Sequence, residues 1–135
     1  MNIDQLNQDL KQLAISKTEL SKLNYSSEEY DKLEEDLHDL EDEFQEKYGD
    51  YLEEALSDVH DEYCSDNDVL LPIAYMAKKY SINNGKFDVA FDQGVIVDAD
   101  DYPGKGTRLV LIPSPTRIVL LVDKNIREEV WKAKE

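Results

Sequence analysis

With 135 residues, 41% of them apolar, and a formal net charge of −16, the chain has the length and apolar content for one folded domain and is too apolar for a disordered acidic tail. A chain of this size buries roughly two-thirds of its unfolded surface, so folding requires neither a metal nor a disulfide, and no motif implies a cofactor. The single cysteine, Cys64, excludes an intramolecular disulfide, and the apolar run Ile118–Val122 is too short to cross a bilayer.

The start, Met-Asn-Ile-Asp-Gln-Leu, has neither the basic nor the apolar region of a signal peptide. A cytoplasmic location in a reducing compartment is therefore expected. Residues 28–68 hold 19 Asp and Glu against Lys32 and Lys47, whereas the rest of the chain holds 12 acidic and 13 basic residues. This places an anionic rod on a near-neutral body. Direct nucleic-acid binding needs a basic stripe, which is missing, and an anionic membrane surface would repel the rod. A basic protein would be attracted and steered.

In chain order, Ile3, Leu6, Leu10 and Leu13 alternate three and four apart, the spacing of a coiled-coil seam, and Lys17 falls where the next core residue would stand. Ser26-x-x-Glu29 reads as a capping box, with Tyr25 and Tyr30 as its hydrophobic staple. A second helix beginning near Ser27 should fold back antiparallel on the first. Its seam is Tyr30, Leu33, Leu37, Leu40 and Phe44, continued by Tyr48, Leu52, Leu56, Val59 and Tyr63, with Gly49 as the expected bend or break. A shorter helix over 69–80 is expected from Val69, Ile73, Met76, Ala77 and Tyr80, with Pro72 near its start.

Asn83-Asn84-Gly85 signals a turn, and from Lys86 the period changes to two. Phe87–Phe91, Val95–Val97, Leu109–Ile112 and Ile118–Val122 are the expected strands of a four-stranded antiparallel meander. The last two are apolar at every position and so should be covered on both faces. A C-terminal helix is expected from Asp123 or Asn125, carrying Ile126, Val130 and Trp131. The expected fold is thus α+β. It has an acidic, coiled-coil-like helical hairpin over 1–66 and a small α+β domain with an antiparallel sheet over 67–135, the two packing as one unit.

Three clusters invite chemical readings. Glu35-x-x-His38 is half of a di-iron pattern, but only one copy exists and His38 is off the seam. His60 and Cys64 are four apart on one helix, with Asp61 the nearest carboxylate, yet no second segment supplies ligands for zinc. Asp98, Asp100 and Asp101 crowd the Asp98–Arg108 loop with Lys105, and a metal-dependent enzyme would be centred there. Neither EF-hand nor Walker spacing is present in that loop, and Gly104-Lys105-Gly106-Thr107 only partly matches a phosphate loop.

The acidic helix offers more. Glu46, Asp50, Glu54, Asp58 and Glu62 repeat at i, i+4, and each like-charge pair costs roughly 0.2–0.5 kcal/mol. A helix serving solubility alone would mix signs. The leading expectation is a non-enzymatic interaction protein, inhibitor- or immunity-like, that presents these five residues to a basic partner. The alternatives are a homodimer built through the coiled-coil seam and sheet face, and the metal-dependent enzyme above.

Overall fold

The computed structural model describes residues 1–134 and shows an α+β fold. Helix α1 spans Ile3–Lys22 and helix α2 spans Glu28–Tyr63. A single 3₁₀ turn, Pro72–Tyr75, precedes six strands: β1 Ser81–Asn83, β2 Lys86–Asp88, β3 Val95–Val97, β4 Thr107–Ile112, β5 Arg117–Val122 and β6 Ile126–Lys132. Strands β1 and β2 form a separate hairpin, and β3-β4-β5-β6 form an antiparallel meander. No helix is long and apolar enough to cross a membrane among the described residues.

The helices pack antiparallel. Leu6, Leu10 and Leu13 of α1 and Leu37, Phe44, Tyr48, Leu52 and Leu56 of α2 are buried, while Leu33 and Leu40 are only half-buried. The cap of α2 lies one residue later than the capping box implies. Ser27 Oγ accepts from the Tyr30 N–H at 3.1 Å, because Ser26 is held by Asn24 Oδ1 instead. Tyr25 and Tyr30 do meet, with ring centroids 5.1 Å apart. Gly49 does not interrupt α2, which runs through 36 residues, or about 54 Å. At that position a Cβ would overlap the Gln45 side-chain amide.

The meander contains four strands as expected, but not the four that alternation nominates. The Phe87 segment pairs with β1 across the Asn84-Gly85 turn, where both residues have positive φ. The fourth place is taken by β6, which overturns the expected C-terminal helix. Strand β5 is apolar from Ile118 to Val122 and requires a partner along its outer edge. A three-residue turn, in which Asp123 has φ +48°, returns the chain to supply one. The spacing Ile126, Val130, Trp131 imitates a helix face because a register shift opposite Ile118/Val119 inserts one extra residue into β6.

The expected helix over 69–80 is likewise overturned. Leu71 and Met76 are extended on either side of the 3₁₀ turn. Pro72 supplies no N–H, and Met76 instead forms a parallel bridge to Leu111 of β4, just past the end of β3.

Both faces of β4 and β5 are covered within one chain. Trp131 shares a face with Ile118 and Leu111, and its ring meets Tyr51 of α2 at 5.9 Å, so α2 lies on that side. Arg127 shares the opposite face with Ile96, Arg108 and Leu121, and it pairs with Asp88 of β2 at 3.1 Å. Arg117 also donates to the Phe87 carbonyl at 3.0 Å. The β1–β2 hairpin and residues after it therefore cover this second face, with Phe87 and Val89 buried. Asn7 of α1 accepts from the Ser114 N–H and the Thr116 hydroxyl, tying α1 to the β4–β5 turn. One continuous core includes residues of both helices and of the sheet.

Candidate functional site

The apolar seam of α2 sets where its charges go. Tyr48, Leu52, Leu56 and Val59 are buried, which leaves Glu46, Asp50, Glu54, Asp58 and Glu62 exposed. The closest ion pairs in the described residues are Lys105–Asp123 at 3.7 Å and Arg127–Asp88 at 3.1 Å. Neither involves α2. Among the described residues no ridge carboxylate is in an ion pair, and within α2 only Lys32 and Lys47 offset the acidic charge. Of the seam tyrosines, Tyr48 is buried and donates to Asp9 at 2.6 Å, and Tyr30, Tyr51 and Tyr63 are half-buried. They serve as packing residues.

The other clusters are placed differently. Glu35 and His38 are both exposed. His60 and Cys64 are buried, and the ring nitrogens of His60 are both engaged, Nδ1 with the Asn67 carbonyl at 3.0 Å and Nε2 with the Tyr75 hydroxyl at 2.8 Å. Asp98, Asp100 and Asp101 are exposed. Their loop is strapped to the end of α2: the Asp98 N–H donates to Asn67 Oδ1 at 2.7 Å and the Asp100 N–H to the Tyr63 carbonyl at 2.8 Å. In the Gly104–Thr107 stretch, the Gly106 N–H is taken by Asp123 and the Thr107 hydroxyl by the Val97 carbonyl. No three His, Cys, Asp or Glu side chains gather as a metal site among the described residues.

No family model, curated protein or solved structure matches this chain. What the protein does must therefore be argued from its own surfaces. Sequence reasoning missed two features. One is the His60–Tyr75–Asn67 network, whose members have no common spacing. The other is a groove of about 490 Å³ lined by Phe91, Ile96, Arg108 and Lys124, among others. Asp98, Asp100 and Asp101 do not line it.

Burial pushes the Cys64 thiol up from 9.0 to about 11, and the carboxylates of Asp100 and Asp98 add to the effect. The sign follows from proton counting. Between those values the unfolded chain has lost a proton that the folded chain keeps. The stability that this site contributes is thus whole below pH 9.0 and is lost as pH rises toward about 11. Burial, with Asp9 beside it, also raises the Tyr48 hydroxyl to about 12, so the loss should continue above the thiol window. Urea midpoints should fall across this alkaline range, and Cys64→Ala should flatten the lower part of the fall. A native-state thiol titration should show Cys64 unreactive near neutral pH, since the thiolate is the nucleophile.

Proposed function

We propose that the protein is a non-enzymatic interaction module that presents the ridge Glu46, Asp50, Glu54, Asp58 and Glu62 to a basic protein partner. A single observation carries this reading. Five exposed carboxylates stand in line on one continuous helix, and none is in an ion pair among the described residues. The opposite face of α2 is anchored in the core, so the ridge is a pre-positioned surface rather than a tail. At physiological salt the Debye length is about 8 Å, so neighbouring ridge charges stay partly coupled. A basic partner relieves that repulsion on contact.

The homodimer alternative has less to stand on. Leu111 and Leu120 are buried within one chain, so the apolar runs of β4 and β5 are not left uncovered, and Leu6, Leu10 and Leu13 of the coiled-coil-like seam are also buried.

The test is the variant with all five ridge residues changed to Gln, which keeps helix propensity close to that of the parent. Added salt should stabilise the parent and should stabilise the variant much less. A basic protein captured by the parent should associate with the variant more slowly, because dispersed charges act mainly by steering. Equal association rates at low salt would reduce the ridge to a solubility device.

A further inference from the structure

The ridge accounts for one side of the molecule, and a second surface of opposite character lies at the sheet. This grooved surface has two concavities, of about 490 and 680 Å³, that adjoin at Asp92 and Arg108, which line both. Its cations are Lys78, Lys79, Arg108 and Lys124, none of which is in an ion pair among the described residues. Of its two carboxylates, Asp123 is already engaged by Lys105 and by the Gly106 N–H. On a chain of net charge −16, a groove with this local balance is a departure from the rest of the surface.

Its apolar part is also exposed. Ile96, on the edge strand β3, is 68% exposed, and Phe91 is 45% exposed with the Lys124 ammonium 5.5 Å from its ring centre. Gly94 fixes this shape. It has φ +92°, and a Cβ there would fall on the Leu109 carbonyl, so the chain between Phe91 and Ile96 lies close against β4.

We propose that this groove binds an extended peptide segment that carries both carboxylates and bulky apolar side chains on the face turned to it. Charge complementarity selects the carboxylates, and Phe91 and Ile96 select the apolar groups. The acidic ridge of a second copy fits less well. Every exposed α2 residue from Glu46 to Glu62 is charged, so its ridge would leave both apolar side chains unmatched. A nucleic acid brings a dense line of phosphates, which the net negative molecule repels at range. Edge strands bordered by pockets are established receptors for extended peptides.

The probe is a fluorescein-labelled Glu–Leu peptide of repeating Glu-Glu-Leu-Leu, which when extended presents both kinds of side chain on each face, read by anisotropy at low and physiological salt beside the matching Glu–Ser peptide and a labelled oligouridylate. The Glu–Leu peptide should bind with a salt-sensitive affinity and the other two should bind about tenfold more weakly or not at all. Changing both Lys124 and Lys78 to Gln should weaken binding by about tenfold, as should Ile96→Ser. All three positions are exposed, so the variants should fold, which circular dichroism checks. The five-fold ridge variant should bind this peptide at least as well as the parent, which keeps the two surfaces separable. The proposal is overturned if the Glu–Leu peptide fails to bind, if Glu–Ser binds equally, or if the oligonucleotide binds better. Salt-sensitive self-association that the groove variants abolish, without peptide binding, would instead assign the groove to a second copy.

Discussion

Leu120→Ala should lower the unfolding free energy by about 2–5 kcal/mol. Leu120 is 1% exposed and stands in the centre of the meander between Leu109 of β4 and Glu128 of β6. Its strand is hydrogen-bonded on both edges, so the backbone cannot close on the space that the side chain leaves. Neighbours such as Leu109 and Ile118 are themselves fully buried and held by packing on both faces. The transfer cost and the cavity cost should therefore both be felt. For a domain with about 5–15 kcal/mol of total stability, this is a large fraction. Ile126→Ala, on the same sheet but 45% exposed at the end of β6, should change stability by less than about 1 kcal/mol. Urea denaturation of the two variants separates the cases, and a cost at Leu120 as small as that at Ile126 would show that the sheet face is open.

Tyr75→Phe should cost about 1–3 kcal/mol without creating a cavity. The Tyr75 ring is fully buried, and its hydroxyl accepts from the Leu70 N–H at 3.0 Å and meets His60 Nε2 at 2.8 Å. The tautomer follows from the partners. His60 Nδ1 faces the Asn67 carbonyl, which can only accept, so Nδ1 carries the proton and Nε2 accepts from the tyrosine hydroxyl. Phenylalanine fills the same volume and leaves a buried ring nitrogen and a backbone N–H without this partner. The same network ties residues 67–75 to the last turns of α2, so the Leu70 amide should also exchange faster in the variant. Tyr51→Phe is the control, because its hydroxyl reaches only the Lys134 carbonyl at 3.5 Å and should be close to neutral. A Tyr75 variant as stable as that control would mean that water reaches His60.

Much of the local architecture is legible in residue spacing. The 3/4 spacing of Leu6, Leu10 and Leu13 and of Leu37, Phe44 and Leu52 implies helices whose apolar stripes meet, because an antiparallel connection as short as 23–27 leaves them little else to cover. The exposure of the ridge follows from the same periodicity, since burying Tyr48, Leu52 and Leu56 turns Asp50, Glu54 and Asp58 outward. The apolar runs of β4 and β5 imply cover on both faces, and Val110, Leu111, Val119, Leu120 and Leu121 are all buried.

Spacing fails where pairing partners decide. The apolar residues of 69–80 suit a helix, but the open edge of β4 beyond β3 draws Met76 into a bridge and Tyr80 into a hydrogen bond with the Leu111 carbonyl. Ile126, Val130 and Trp131 also suit a helix, and only the unsatisfied edge of β5 and a bulge make them a strand. Phe87 alternates like a meander strand, yet it packs across the sheet instead of joining it.

The groove depends on all three outcomes, since it joins residues from the 3₁₀ segment, β3, β4 and the β5–β6 turn. The sequence by itself determines the α+β class, the helical hairpin and the outward line of carboxylates, because these follow from periodicity within one segment. Tertiary structure alone decides which strands pair, where His60 finds its partners and where a cationic groove forms. Those outcomes depend on hydrogen-bonding edges and cover supplied by segments distant in the chain, which no local spacing encodes.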